Sequence, residues 1–246
     1  MLGSYLGPEY SKEIIEEELK KIGAKYSVMD EHEIIEKTVQ SLENGKAIGW
    51  FQGRMEFGPR ALGSRSILGD PRSPTMQKNL NLKVKYRESF RPFAPSVLRE
   101  DVNEWFNINE DSPYMLLVAD VLEEKKIKMN EKEKKLFGIE KLNIKRSSIP
   151  AVTHVDYSAR IQTVNKETNP KYYNLIKKFK EKTNCSVLLN TSFNVRGEPI
   201  VNTPEDAFNC FMNTELDKLV IGNCFLDKKD QDQSLKKNYK SEYELD

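Results

Sequence analysis

Apolar positions in the first 45 residues recur at helical spacing. Ile15, Leu19 and Ile22 follow Ser11, a residue suited to cap a helix, and Gly23 closes the pattern. Ile35, Val39 and Leu42 repeat the spacing after Asp30, with Glu33 placed for a capping box and Gly45 at the end. His32 falls in the first turn of that second helix, where an exposed side chain is expected. The pattern then changes. Ala47–Gln52 is a short apolar run that reads as a buried strand, and it opens into residues 53–63, where Gly53, Gly58, Pro59 and Gly63 favour a loop.

Further along, 75–82 predicts a short helix, Phe93–Leu98 a strand, Asp101 the cap of a helix through Trp105, and Met115–Val121 another strand. Strands are expected at Ala151–Val155, around Ile161–Val164, at Ser186–Leu189 and at Leu219–Ile221. Helices are expected from Pro170, carrying Tyr173, Ile176 and Phe179, and from Thr203 to Asn213. Strands and helices interleave irregularly, so the expected fold is mixed α/β (α+β). Residues 1–45 form a helical lead-in and 46–226 the main domain. Within it, 123–148 is a Lys/Glu-rich, solvent-exposed insertion, and 227–246 is a frayed, charged tail.

Composition narrows the function. No run of about 18 apolar residues predicts a membrane span, and Met1–Gly7 has no signal-peptide pattern. Cys185, Cys210 and Cys224 are too far apart for a metal clip, and Cys185 and Cys210 sit in apolar runs that predict burial. The odd count suggests reduced thiols and a cytoplasmic setting. His32 and His154, the two histidines, cannot by themselves build a multi-histidine metal site. Lys and Arg total 39 against 38 Asp and Glu, a balance that argues against a general nucleic-acid binder.

That balance is uneven along the chain. Between Arg54 and Arg91 there are nine basic residues, six of them arginine, and three acidic ones. Arginines set among Gly, Pro and Ser suit forked contacts with phosphate or carboxylate oxygens, so the window predicts a polyanion site. It holds no GxxxxGK[ST], and Phe57, Tyr86, Phe90 and Phe93 form no recognisable base-stacking module. Lys85 and Arg87 would share a face if extended, as would Asn190, Ser192 and Asn194 beyond the strand at 187–189. His154 and Asp156, followed by Arg160 and Gln162 in the same alternation, read either as acid–base or phosphate contacts or as a structural pair.

Together these segments resemble the C-terminal region of the NodU/CmcH carbamoyltransferase family. The resemblance rests on GRMEFGPRALGSRSIL (53–68), VKYRESFRPFAPSVL (84–98), HVDYSARIQTV (154–164) and LLNTSFNVRGEPIV (188–201), and covers about residues 45–225. It implies a YrdC-like domain, a twisted open sheet with a positively charged concave site. Such a domain uses ATP, with Mg²⁺ as part of that substrate, and carbamoyl phosphate to make carbamoyl adenylate. Lys85 and Arg87 look like the family's KxR pair, and Ser192 and Asn194 like its SxN pair. Arg60, Arg91 and Arg160 match arginines that would hold phosphates and the carbamoyl group. Arg54, Asn190, His154 and Asp156 are added as further substrate contacts.

Family members also carry an N-terminal actin-like domain with a histidine-ligated metal, where the carbamoyl group passes to an acceptor hydroxyl. This sequence matches only the region C-terminal to that domain, so the expectation is an excised domain, split-gene product or remnant that forms the adenylate at most. No transition metal is expected in it, nor a nucleic-acid or membrane partner. Two alternatives stand beside this reading: threonylcarbamoyl-adenylate synthesis, and a nucleotide- or RNA-binding module without catalysis.

Overall fold

A computed structural model describes residues 3–142 and 144–236. The two lead-in helices form as the caps dictate. The Ser11 hydroxyl accepts from the Ile14 N–H to start α1 (Lys12–Lys21), and a reciprocal Asp30–Glu33 capping box starts α2 (Glu31–Glu43). Between them lies a two-residue strand, β1 (Ser27–Val28). His32 is exposed.

The remaining elements are β2 (Ile48–Phe51), β3 (Arg65–Gly69), α3 (Met76–Lys83), β4 (Ala94–Leu98), α4 (Val102–Trp105), β5 (Val118–Asp120), α5 (Glu131–Lys134), α6 (Gly138–Leu142), β6 (Ser158–Arg160), β7 (Gln162–Val164), α7 (Pro170–Thr183), β8 (Val187–Ser192), α8 (Pro204–Asn213), β9 (Lys218–Ile221) and β10 (Cys224–Asp227). Eight strands form one open mixed sheet in the order β1-β10-β9-β2-β3-β8-β4-β7, and β5 and β6 form a separate ribbon. β2 runs parallel to β9 and β4 parallel to β7; the other neighbours are antiparallel. Every residue of β2, β3 and β4 is buried, so both faces of the sheet are covered and no polar alternation survives. The fold is therefore the mixed α/β class that the pattern implies.

α1 packs against α8 and α2 against α7, and Ile15, Leu19, Ile34, Val39 and Leu42 belong to the same core as the sheet. α7 begins on Asn169, whose side chain accepts from the Tyr172 N–H, with Pro170 in the first turn. It stops at Asn184 in the left-handed region, φ 56°. All three cysteines are buried and free. Among the described residues no helix is long and apolar enough to cross a membrane.

Four sequence expectations need correction. Ala151–Val155 is not a strand: Pro150 opens a 3₁₀ turn through Val152, and a second turn follows, with Tyr157 at φ 67°. Met115 sits at φ 56°, which breaks the extended run and confines the predicted Met115–Val121 strand to Val118–Asp120. Asp101 does not cap α4; its carboxylate accepts instead from Lys180 Nζ at 2.8 and 2.7 Å. The chain just after Asp227 is not frayed. Gln231 is buried, with its side chain bonded both to the N–H and to the carbonyl of Lys25. Residues 237–246 of the predicted tail lie outside the described residues. The insertion is exposed over most of its length, as Phe137 shows at 91% exposure, until Arg146 and Ser147 turn inward.

A candidate anion site at the end of β8

The apolar run Val187–Leu189 fixes β8 between β3 and β4, and the strand continues through Asn190, Thr191 and Ser192. Its polar end organises the site. Asn190 is buried and its Nδ2 donates to the Ala61 carbonyl, Ser96 Oγ and Gln162 Oε1, at 3.0, 3.1 and 2.8 Å. Gln162 Nε2 in turn donates to the Leu62 carbonyl at 2.8 Å. Loop 53–63 is thereby tied to the strand end. Asn190 Oδ1 is left buried without a partner.

Two residues on, about 7 Å along the strand at 3.3 Å per residue, Ser192 meets Lys85. Lys85 Nζ donates to Ser192 O, Ser192 Oγ, Asn194 O and Asn194 Oδ1 at 2.5, 3.1, 2.9 and 2.7 Å. The side chain is 4% exposed. All four acceptors are neutral oxygens, and among the described residues Lys85 forms no ion pair within 4.0 Å. Burial, reinforced by the charge of Arg87, pulls its pKa from 10.5 down to about 7.

Lys85 and Arg87 do not come from a strand. They stand in a turn after α3 in which Tyr86 is at φ 48°. Asn81 pins that turn: its Nδ2 donates to the carbonyls of Ser89 and Arg91, and its Oδ1 accepts from Arg87 Nε at 2.7 Å. The Arg87 guanidinium lies 5.0 Å from the Phe93 ring centroid, and burial and then the Arg91 charge lower its pKa to about 10. Arg91 is exposed and pairs with Glu88 at 3.0 Å, and Arg196 approaches the same carboxylate at 3.8 Å.

Loop 53–63 carries Arg60. It is fastened by Glu56, a buried carboxylate that accepts from the N–H groups of Leu62, Ser64 and Arg65 at 2.7, 2.7 and 3.2 Å. Burial pushes the Glu56 pKa up. Gly63 closes the loop at φ +103°, with the Tyr172 ring 2.2 Å from where a Cβ would stand, so only glycine fits. Arg60 is half-buried and lies close enough to Arg160 for their charges to repel. The Arg160 Nε is buried without a hydrogen-bond partner, and burial and then Arg60 lower its pKa.

Other predicted site residues end up elsewhere. Arg54 donates to the carbonyls of Gly7 and Leu6, both at 3.2 Å, so it anchors the lead-in. With Lys171, Gln52 and Tyr10 it lines a separate cavity of about 520 Å³. Arg65 is fully buried against the Phe51 ring and donates to the carbonyls of Gln52, Gly53, Ser64 and Pro8; Arg72 is bound to Asp70. His154 and Asp156 do not alternate along a strand. Both meet Ser158 within a turn, at 3.3 and 2.7 Å. Burial lowers the His154 pKa, against the pull of Asp156, while the Ser158 hydrogen bonds lower that of Asp156.

Sequence reasoning missed Glu56 and Glu198. Glu56 was legible as a lone acid inside a Gly/Pro-rich loop, but the burial of Glu198 and the Lys85 and Cys210 groups that face it depend on distant segments. Glu198 is buried, its Oε2 accepts from the Val195 N–H at 2.7 Å, and burial pushes its pKa up to about 7.

The sequence matches the family described as "Carbamoyltransferase C-terminus" over residues 39–228. An uncharacterized protein of Synechocystis sp. is 57% identical over all of this chain and 40% of its own length. The nodulation protein NolNO of Sinorhizobium fredii is 41% identical over 92% of this chain and 31% of its own. The 3'-hydroxymethylcephem-O-carbamoyltransferase of Streptomyces clavuligerus is 36% identical over 74% of this chain and 31% of its own. The chain thus spans about a third to two fifths of the length of these relatives.

Proposed function

Because the chain belongs to the carbamoyltransferase C-terminus family, we propose that it binds ATP and carbamoyl phosphate at the end of β8 and joins them as carbamoyl adenylate. The observation that carries this reading is the Lys85 ammonium, buried yet held only by neutral oxygens of Ser192 and Asn194. A buried cation without a carboxylate against it is costly, and a bound anion offsets that cost. Arg60 and Arg160 repel each other in the same way. Arg160 Nε and Asn190 Oδ1 are a donor and an acceptor without partners; a carbamoyl group offers the complementary oxygen and NH₂.

Both substrates are polyanions, and fixed cations lower the cost of bringing them together. In the proposed sequence carbamoyl phosphate gives carbamate and inorganic phosphate with water. A carbamate oxygen then attacks the α-phosphorus of ATP and pyrophosphate leaves. Lys85, Arg87, Arg91, Arg60 and Arg160 would stabilise the charge that builds on the phosphoryl oxygens, and no protein nucleophile is needed. Mg²⁺ enters with the nucleotide as part of the substrate. Passing the carbamoyl group to an acceptor hydroxyl is assigned to the remaining two thirds or so of the relatives' length, on a separate or covalently joined actin-like domain.

The test is release of pyrophosphate from ATP, Mg²⁺ and carbamoyl phosphate by the purified chain. Release that vanishes in Lys85→Met supports the reading. Release supported instead by threonine and bicarbonate would point to threonylcarbamoyl-adenylate chemistry, and steeply salt-dependent RNA binding without ATP affinity to a non-catalytic module.

A further inference from the structure

Asn194 holds Lys85 with one end of its amide only. Its Nδ2 donates to the Glu198 carbonyl at 2.6 Å, which turns Oδ1 toward Lys85 Nζ and the Ser192 hydroxyl, each at 2.7 Å. The Glu198 carboxylate closes the same turn from the other side by accepting the Val195 N–H, and Gly197 supplies the positive φ of 78° that the turn needs. The aim of the oxygen cradle therefore depends on Glu198.

The charges facing this pair come from three segments. Arg87, on the same turn as Lys85, disfavours the ammonium; Glu198, after β8, favours it; Cys210, from α8, also faces it. Glu198 is faced by Lys85, Cys210 and Asp206, and Lys228 faces Cys210. We propose that Glu198 is the positioning residue for Lys85: it closes the turn that aims Asn194 at the Lys85 amine and places an ionisable carboxyl group facing it. The functional meaning rests on the reading of Lys85 as the cation that receives a polyanion. The structural claim does not. Burial draws Lys85 down and Glu198 up until both stand at about 7, so the charge of either one shifts the titration of the other.

The decisive experiment is an NMR titration of the lysine side-chain resonances in the ligand-free chain. The Lys85 midpoint should fall by about one pH unit in Glu198→Gln, which keeps an oxygen for Val195 but loses the charge, and return toward wild type in Glu198→Asp. In the wild-type chain the Glu198 carboxyl resonance should itself follow the Lys85 titration, a readout that requires no variant. An unchanged Lys85 midpoint in Glu198→Gln, or a Glu198 resonance blind to Lys85, overturns the proposal.

With nucleotide, Glu198→Gln should bind ATP about tenfold more weakly than wild type at pH 8 and within about twofold at pH 5.5, as a one-unit drop requires. In a Lys85→Met background the same substitution should change nothing further. A pH-independent loss, or a full loss in that background, overturns the assignment. Failure of the wild-type chain to bind ATP at any pH would refute the nucleotide reading, and the ligand-free titration would still decide the role of Glu198.

Discussion

Lys85 makes a quantitative demand on stability. Its pKa falls from 10.5 in the unfolded chain to about 7 in the folded one because the side chain is buried. At about 1.4 kcal/mol per unit, the charged form costs the fold at most about 5 kcal/mol. The sign follows from proton counting. Between the two values the unfolded chain binds the proton and the native chain does not, so stability from this group rises with pH above about 7 and levels off near 10.5. Lys85→Met removes the titration while keeping a stem of similar length. Wild type and variant would be unfolded in urea from pH 8 to pH 9.5, and the difference in unfolding free energy followed. Wild type should gain about 2 kcal/mol on the variant across that interval. Groups that do not face Lys85, including Lys228, which burial also holds near 7, cancel in the difference, and Glu198, whose pKa rises further once Lys85 is gone, adds to the wild-type gain. Parallel curves would refute a buried, charge-depleted Lys85, and a gain by the variant would reverse the sign of the argument.

Gly63→Ala should destabilise the chain by about 2–5 kcal/mol in denaturant unfolding, since the new methyl combines an unfavourable φ with a collision against the buried Tyr172 ring; a change below about 0.5 kcal/mol would contradict the packing described. Arg160→Ala should weaken ATP or carbamoyl phosphate binding about tenfold or more while leaving stability nearly unchanged, because its buried Nε has no partner to lose. Arg54→Ala, measured by the same titration calorimetry, should leave both affinities unchanged, since its donors serve Leu6 and Gly7.

Local chemistry was the most legible part of the sequence. Ser11, the Asp30–Glu33 box, Pro170 and Thr203 start helices where their caps require, because a cap acts within four residues. β1, β3, β6 and β10 were missed: β1 and β10 pair near a sheet edge with too little pattern to be seen, β6 has three residues, and β3 follows a Gly/Pro-rich loop and opens on the polar pair Arg65 and Ser66. Val152 and Val155 suggested a strand, but Pro150 and the tertiary setting made turns instead. Within the site, the pairs Lys85/Arg87 and Ser192/Asn194 could be picked out by spacing, yet not their meeting, which joins segments 107 and 109 residues apart. The charge excess between Arg54 and Arg91 counted cations that the fold already pairs, such as Arg72 with Asp70. Sequence cannot tell a guanidinium whose terminal nitrogens are spent on backbone carbonyls, as in Arg65, from one paired with a carboxylate, as in Arg72.

The central claim, adenylate formation at the β8 end, is tested most directly by exchange of labelled pyrophosphate into ATP. With Mg²⁺ and carbamoyl phosphate present, the wild-type chain should move label into ATP. Omitting carbamoyl phosphate, or replacing Lys85 by methionine, should abolish the exchange. Exchange that proceeds equally without carbamoyl phosphate, or none at all from a folded chain that binds ATP, would contradict it.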